Sequence, residues 1–412
     1  MDSLLHTPEG VRDIYNEECS RKNALSAKLD RILKLYGYKD IQTPTFEFFD
    51  IFNRERGSVP SRNMYKFIDR DGSTLVLRPD IARAVAKYFK EETIPLRFSY
   101  CGNTFINNSS LQGKMKETTQ LGAELIGDRD IEGDAEVVAL AIHLLLESGL
   151  TDFQLDIGHV GLFKALVAEA GMDEETVSQL RVLIESKNYF GVEALVEKLT
   201  LSDETAKLLL KLPELFGSGD IIAEARSMTC NAEALKALDE IEKLCQLIAE
   251  YGFEKYITID LGMLTEYDYY TGMIFRGYTY GTGDAVVKGG RYDHLIGQFG
   301  KDAASVGFAV VLDELMLALS RQKIDIPTNE EATMVLYEPE YRSAAIRIAN
   351  ALRNINQTVS MMKKETDKSL DDYKAYSRRY HIDHILYVDQ DKELTKIDIS
   401  DDSVRKMPVS EF

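Results

Sequence analysis

A stretch of helical sequence between two strand-rich segments is the feature that most restricts the fold of this chain. Residues 168–254 carry charged faces and short leucine-rich runs, such as 206–212, which are typical of packed amphipathic helices. The residues before 150 and after 256 instead alternate helical and strand-like segments, and a linker follows at 324–328. This order predicts an α+β core that is interrupted by an all-helical insertion.

After the linker, the pattern predicts a small second domain over residues 331–412. Strands and helices alternate as far as residue 388, which indicates an α/β unit with a parallel or mixed sheet. We therefore predict a first domain over residues 1–325, which contains the insertion at about 168–254, and this smaller domain after it. Two domains are expected because a chain of 412 residues exceeds what one ordinary core encloses.

Charge and composition restrict the possible partners. The formal net charge is −19 at pH 7, so the average field repels polyanions and disfavours nucleic-acid binding. No segment has the roughly 20 consecutive apolar residues that cross a bilayer, and the N-terminus lacks a signal-peptide pattern. We therefore predict a cytoplasmic protein with no membrane partner. The scattered cysteines, with no pair at ligand spacing, predict neither a metal site nor a disulfide framework.

Several short motifs occur along the chain in a fixed order. They are Thr7-Pro8-Glu9-Gly10-Val11-Arg12-Asp13, Leu77-Arg78-Pro79-Asp80, Gln120-Leu121-Gly122-Ala123-Glu124, Asp268-Tyr269-Tyr270-Thr271 and Gly289-Gly290-Arg291-Tyr292-Asp293. Together with segments at 37–47, 100–127 and 306–315 that are similar to class II motifs 1, 2 and 3, they resemble the histidyl-tRNA synthetase family. The resemblance implies a class II synthetase-like antiparallel sheet flanked by helices, with a C-terminal domain of the anticodon-binding type.

Three positions that hold catalytic arginines in that family carry other residues here. The resemblance puts Ile106 in motif 2, Thr265 before the Asp-Tyr-Tyr signature and Glu314 in motif 3. Adenylate formation needs fixed cations against the charge that develops on the ATP phosphates, and arginine suits this because its planar guanidinium bonds two oxygens at once. A glutamate at such a place repels ATP. We therefore predict that the chain has no catalytic residues and no catalytic activity.

The residues that match the amino-acid side of the family's pocket are kept. By the resemblance, Asp80, Gln120 and Glu124 hold the substrate's ammonium and nearby polar groups, whereas Tyr269 and Tyr270 line the imidazole. Histidine binding needs a carboxylate and buried hydrogen-bonding groups, which these residues supply. Taken without the resemblance, Gln120 and Glu124 are also compatible with a hydrogen-bonded inner strand face, and Tyr269 and Tyr270 with core aromatic packing.

Two arginines in the motifs allow both a structural and a binding interpretation. Arg291 can form an ion pair with Asp293 or contact an anionic ligand, and Arg78 can brace the fold. His381 and His384 are three residues apart, but one such pair is poor evidence for a metal site. The sequence alone leaves the question of the arginines open.

A group of histidyl-synthetase relatives without aminoacylation chemistry resembles this chain in two respects. They keep the residues of the amino-acid pocket, and they lack the arginines of the ATP site. These are the regulatory subunits of the short-form ATP phosphoribosyltransferase, the first enzyme of histidine biosynthesis. The resemblance implies a non-catalytic subunit, without a cofactor, that binds and activates the short-form catalytic subunit and mediates feedback inhibition by histidine as allosteric ligand. It also implies a homodimer through motif 1 and a hetero-oligomer with the catalytic subunit.

Three alternatives remain. They are an active or divergent histidyl-tRNA synthetase, a synthetase-like amino-acid or tRNA sensor, and a relative that transfers an amino acid to a protein side chain; the two enzymes need the missing arginines. The C-terminal domain departs from the regulatory family, many members of which stop near the core. Its acidic surface disfavours a phosphate backbone: it carries Asp371, Asp372, Asp383, Asp389, Asp391, Asp398, Asp401 and Asp402.

Overall fold

The computed structural model of the protein describes residues 6–53, 59–86, 95–108, 114–265, 269–299, 303–328, 331–390 and 392–411, so Asp268 and Asp391 lie outside the described residues. Contacts between Cα atoms divide the chain into two units. The first comprises Met1–Asp13 and Leu25–Ile326, and the second comprises Ile14–Ala24 and Pro327–Phe412. The division after Ile326 falls in the linker, but Ile14–Ala24, which the predicted boundaries place in the first domain, group with the second unit.

The first unit is built on a nine-stranded sheet. In spatial order its strands are β1 (Lys39–Asp40), β5 (Leu96–Phe105), β6 (Glu117–Ile126), β12 (Ser305–Val311), β11 (Val287–Arg291), β10 (Met273–Thr279), β7 (Phe153–His159), β9 (Ile257–Asp260) and β8 (Phe216–Gly217). The six strands from β5 to β7 in this order pair antiparallel, as predicted. The pairs β1–β5 and β7–β9 are parallel, so the sheet is mixed toward its edges.

A second, three-stranded antiparallel sheet contains the end of motif 1 and a hairpin whose turn includes Gly72. Its strands are β2 (Phe46–Phe48), β4 (Thr74–Leu77) and β3 (Lys66–Ile68), in that order. Gly72 has a φ of 88°, which a glycine adopts without the steric cost that a side chain brings. The short helices α2 (Phe49–Asn53) and α3 (Ala82–Ala86) follow β2 and β4 along the chain.

Three longer helices also belong wholly or partly to this unit: α1 (Asn16–Leu35), α4 (Ile131–Glu147) and α11 (Leu312–Arg321). Helix α1 carries an apolar stripe at helical spacing, and its residues Leu25, Leu29, Ile32 and Leu33 are all buried. Helix α4 buries residues around most of its circumference, which fits its almost continuous apolar sequence.

Between β7 and β9 the chain forms six α-helices and the short strand β8, so the segment begins earlier than the predicted insertion at about 168 and is not wholly helical. Its helices are α5 (Val160–Glu169), α6 (Glu174–Glu185), α7 (Tyr189–Val196), α8 (Asp203–Lys211), α9 (Asp220–Arg226) and α10 (Ala232–Glu250). Side chains at the N-caps of α6, α7, α8 and α10 accept backbone N–H bonds that the first turn leaves unpaired; they are Asp173, Asn188, Ser202 and Asn231. The helices enclose an apolar cluster that continues to β9 through Ile259.

The second unit is an α/β sheet of five strands in the order β14-β13-β15-β16-β17. Its elements are β13 (Ala332–Tyr337), α12 (Arg342–Asn354), β14 (Thr358–Lys363), α13 (Leu370–Arg379), β15 (His384–Val388), β16 (Glu393–Asp398) and β17 (Val404–Pro408). The first three strands pair parallel, as the sequence predicts, and the last two add antiparallel. In the part of the chain that the structure describes, no helix combines the length and hydrophobicity of a membrane span.

Candidate functional site

A small pocket of about 110 Å³ lies against strands β5, β6 and β12, and we call it the amino-acid pocket. All five residues predicted to contact histidine line it: Asp80, Gln120, Glu124, Tyr269 and Tyr270. Ile106 lines it as well, whereas Thr265 and Glu314 do not. The structure therefore brings together residues that are up to 190 positions apart in the sequence, from Asp80 to Tyr270.

The strand register explains how these side chains meet on one face. Gln120 and Glu124 alternate with residues of the opposite face along β6, and Gly307 of β12 lies directly opposite Glu124. A Cβ at Gly307 would lie 1.8 Å from Glu124 Oε2, so only glycine leaves room for the carboxylate. Similarly, a Cβ at Gly290 would lie 2.7 Å from Tyr270 Cε1. These glycines belong to the site, although the sequence interpretation did not single them out.

Glu124 forms the buried floor of the amino-acid pocket. Its side chain is 1% exposed, Tyr100 donates its hydroxyl to Oε1 at 3.1 Å, and Tyr292 donates to Oε2. Burial raises the pKa of Glu124 to about 8; the nearby charge of Asp80 acts in the same direction, and the two hydroxyl donors oppose it. In the absence of a ligand, Glu124 therefore retains its proton at neutral pH.

The raised pKa gives a testable pH dependence of stability. Between about 4.5 and about 8 the unfolded chain ionises Glu124 while the folded chain keeps the proton, so the free energy of unfolding falls as pH rises through this window. Glu124→Gln removes the contribution of this group to the pH dependence of the free energy of unfolding. Between pH 4.5 and 8, the free energy of unfolding of the variant minus that of the wild type should therefore rise by a few kcal/mol. Urea unfolding at several pH values measures the difference, with the exposed Glu197→Gln as the control. An unchanged slope in Glu124→Gln would contradict the assignment.

Aromatic rings and a second carboxylate complete the walls. The rings of Tyr269 and Tyr270 lie 4.5 Å apart between centroids, and that of Tyr292 lies edge-on to Tyr269 at 5.8 Å. Asp80 accepts the backbone N–H of Ala82 through Oδ1 at 2.8 Å, which fixes the carboxylate at the start of α3. The pocket thus offers two carboxylates and flat aromatic surfaces, which suit a small cationic or ring-containing ligand.

Thr265 lines a neighbouring cavity of about 330 Å³, here called the adjoining cavity, which shares Tyr270 and Lys288 with the amino-acid pocket. Three basic side chains line it, and each contacts a carboxylate of this chain: Lys114 contacts Asp284 at 3.4 Å, Lys288 contacts Asp284 at 2.9 Å, and Arg276 contacts Glu185 at 2.8 Å. Because Lys114 and Lys288 share Asp284, these contacts compensate part of the positive charge that would otherwise attract a phosphate.

Glu314 adds negative charge close to the adjoining cavity. Burial raises its pKa, and the nearby carboxylate of Asp284 raises it further, while Lys288 acts in the opposite sense. The carboxylates of Glu314 and Asp284 are therefore close enough to repel each other. Since an arginine is expected here by resemblance, the substitution replaces a cation by a group that repels phosphate.

The two arginines with open interpretations both make structural contacts. Arg78 donates from Nη1 to the backbone oxygen of Thr43 at 2.6 Å and from Nε to that of Asn103 at 2.7 Å, so it braces the segments around the pocket. Arg291 contacts Asp293 at 3.3 Å, as one interpretation predicts, but also the buried Asp134 at 2.8 Å. The Asp134 partner is 157 residues away in sequence, and the motif gave no sign of it.

Comparison with known proteins places the chain among two related groups. The histidyl-tRNA synthetase family model matches residues 10–315. An ATP phosphoribosyltransferase regulatory subunit from Acetivibrio thermocellus is 39% identical, with 99% of this chain and 98% of that protein covered. One from Clostridium novyi is 38% identical, with 100% and 99% covered. These relatives therefore extend across the C-terminal unit, which is not a departure from them.

Solved structures support the same grouping. A structure from Bacillus halodurans C, described as an ATP phosphoribosyltransferase regulatory subunit/histidyl-tRNA synthetase, is 32% identical with a TM-score of 0.83, covering 94% of this chain and 99% of that chain. A histidyl-tRNA synthetase from Nostoc sp. PCC 7120 has a TM-score of 0.80 at 17% identity, covering 99% of this chain and 98% of that chain. The second likeness concerns the fold alone.

Proposed function

Because the chain belongs to the family of ATP phosphoribosyltransferase regulatory subunits, which share the histidyl-tRNA synthetase fold, we propose that it serves histidine biosynthesis as a non-catalytic subunit. In this role it binds the short-form catalytic subunit, activates it and transmits inhibition by histidine. The names of its relatives support the regulatory role; activation and histidine feedback are the parts that experiment must establish.

One observation carries the proposal: an amino-acid pocket with its polar residues kept lies beside a cavity whose cations are already paired. The pocket retains Asp80, Gln120 and Glu124, so it can hold a cationic, ring-containing ligand. Lys288 and Arg276 in the adjoining cavity contact carboxylates, so ATP would have to displace them. Such a molecule is suited to sense an amino acid without activating it.

Histidine would act through differential affinity for two states of the assembly. Its cationic group would pair with a carboxylate of the amino-acid pocket, and its ring would lie against Tyr269 and Tyr270. A ligand shifts an equilibrium only as far as its affinities for the two states differ. The proposal therefore requires that the pocket binds histidine more tightly in the inhibited assembly than in the active one.

The three-stranded sheet supports a homodimer. Its residues Phe46, Phe48 and Ile68 are 53%, 56% and 67% exposed, and Phe67 contacts Phe46 with ring centroids 5.8 Å apart. An apolar patch of this kind on a single chain is typical of an interface. It includes the end of motif 1, through which class II relatives form their two-fold dimer.

We predict that Phe46→Ser combined with Phe67→Ser converts a dimer into a monomer. The two substitutions remove the aromatic surface that the second copy would cover, which weakens association by about tenfold or more for each buried ring. Light scattering coupled to size exclusion measures the mass directly. Phe190→Ser is the matched control, because Phe190 is 83% exposed on α7 and outside this sheet. A wild-type monomer, or a double variant that remains dimeric, would contradict the assignment of this surface.

The decisive test of function is reconstitution with a short-form catalytic subunit from the same genome. Formation of phosphoribosyl-ATP is measured without this protein, with it, and with added histidine. We expect activation by the protein and reversal by histidine. Co-elution without activation would retain the partnership but reject the activating role. Neither activation nor co-elution would reject the proposal, and ATP–pyrophosphate exchange dependent on histidine would return the chain to the synthetases.

A further inference from the structure

Among the described residues that line the amino-acid pocket, one is basic, Lys288 of β11. The acidic residues in the same lining are Asp80 and Glu124. A free amino acid carries a carboxylate as well as an ammonium, and a carboxylate held close to acidic groups needs a cation of its own. Lys288 is the lining residue that can supply this charge.

The strand register places Lys288 on the same face of the sheet as Glu124. Lys288 and Gly290 are two residues apart on β11, so they point to one face. Gly290 is opposite Gly307 of β12, which in turn is opposite Glu124 of β6. A Cβ at Gly307 would lie 1.8 Å from Glu124 Oε2, so this is the face that carries the pocket. Lys288 and Glu124 therefore approach the pocket from strands on either side of β12.

The sheet positions between Lys288 and Glu124 on this face carry small residues. They are Gly122, Gly290, Gly307 and Ala309. Neighbouring strands are about 4.8 Å apart, so β11 and β6, which have β12 between them, are about 10 Å apart. That separation leaves space for a small amino acid whose two charged groups meet the two side chains.

The present partner of Lys288 is readily exchanged. Lys288 contacts Asp284 at 2.9 Å, and the two side chains are 42% and 37% exposed. Ion pairs between exposed groups contribute little to stability, and Asp284 also contacts Lys114 at 3.4 Å, so it keeps a cation when Lys288 turns away. The stem of lysine is flexible and its ammonium has three donors. Lys288 can therefore exchange Asp284 for a ligand carboxylate with little loss of stability.

The same exchange does not create a nucleotide site. A triphosphate needs several cations at once, and Arg276 in the adjoining cavity is held by Glu185 at 2.8 Å and by the backbone oxygen of Leu264 at 2.9 Å. A single carboxylate needs one cation. Lys288 lines both cavities, so it can serve the amino-acid pocket while Arg276 stays with its partners.

We propose that Lys288 binds the carboxylate of the ligand in the amino-acid pocket, so that the pocket selects free α-amino acids over amines that lack this group. The ligand bridges β6 and β11, and its ammonium faces the acidic side chains of Asp80 and Glu124. The proposal rests on the histidine binding proposed above and adds the residue that distinguishes histidine from its decarboxylated form. In a pocket with two acidic groups and no such cation, the amine would bind more tightly.

Calorimetric titration of the full-length protein with histidine and with histamine, which lacks the carboxylate, tests the proposal. We expect the wild type to bind histidine at least about tenfold more tightly than histamine. Lys288→Met keeps an apolar stem but removes the charge. It should lower the affinity for histidine by about tenfold to 100-fold and leave the affinity for histamine unchanged or raise it. Lys288→Arg keeps the charge and should keep the preference for histidine.

Lys243→Met is the matched control, because it removes a lysine from an exposed contact with Glu132 outside the amino-acid pocket. It should bind both ligands as the wild type does. Equal affinity of the wild type for the two ligands, an equal loss of both in Lys288→Met, or a retained preference in that variant would overturn the assignment of Lys288 and leave the regulatory role standing. A wild type that binds neither ligand would overturn histidine binding itself, and this proposal with it.

Discussion

Glu124→Gln is expected to lower the affinity of the protein for histidine by about 100-fold, the size of effect seen when a buried charge pair loses one partner. Glutamine has the shape of the protonated glutamate and can keep bonds to Tyr100 and Tyr292, so the fold should survive. Unlike the carboxyl group of Glu124, it cannot ionise to balance the charge of a cationic ligand. Titration calorimetry near pH 8 gives the affinity of each protein.

Two further variants make this result interpretable. Glu117→Gln changes a glutamate on the same strand that does not line the amino-acid pocket, and it should bind histidine as the wild type does. Gly307→Ala introduces a Cβ into the space that Glu124 Oε2 occupies, and it should lose binding although no polar group is removed. If Glu124→Gln and Gly307→Ala both bind histidine normally, histidine binds elsewhere.

Arg291→Met is expected to lower the free energy of unfolding by about 3–5 kcal/mol, because it leaves the carboxylate of Asp134 buried without its cation. Asp134 is 3% exposed, and Arg291 also donates to the backbone oxygens of Asp128 and Asp130. Burial already raises the pKa of Asp134 to about 6 against the opposing effect of Arg291. Urea unfolding at neutral pH measures the loss.

Adding Asp134→Asn to Arg291→Met should recover part of the stability, since no charge is then left unpaired at that contact. The matched control is Arg226→Met, which removes an arginine from exposed contacts with Asp239 and Glu242 and should cost less than about 1 kcal/mol. Equal losses in Arg291→Met and Arg226→Met would show that the buried contact contributes no more than a surface one.

Much of the fold follows from local patterns. The apolar spacing of α1, the helical insertion and the turn at Gly72 are each determined by residues close in sequence, and each was predictable. Strands β16 and β17 were not predicted, because Lys396 in one and Arg405 and Lys406 in the other interrupt the apolar alternation that marks a strand. The edge strands β1 and β8 were not predicted either, since each has only two residues.

The candidate site divides in the same way. The order of the motifs identified Asp80, Glu124 and Tyr270 as candidate site residues, and the structure places them around one pocket. What holds them there comes from distant strands: Tyr292 reaches Glu124 across 168 residues, and Gly307 leaves the carboxylate its space. Such contacts carry no periodic signal, so residue patterns cannot reveal them. Whether the pocket binds histidine remains a prediction.

The paired cations of the adjoining cavity also bear on whether single substitutions could give this chain adenylation chemistry. An arginine introduced at Glu314 would come under the influence of Asp284, whose carboxylate would compete with any phosphate for the new guanidinium. The ion pair between Lys288 and Asp284 would weaken at the same time, because the new arginine would share the carboxylate. An ATP site in this cavity would therefore need several coordinated substitutions, each of little effect alone. The paired cations thus make the cavity robust to mutation, because a single substitution there does not produce an ATP site.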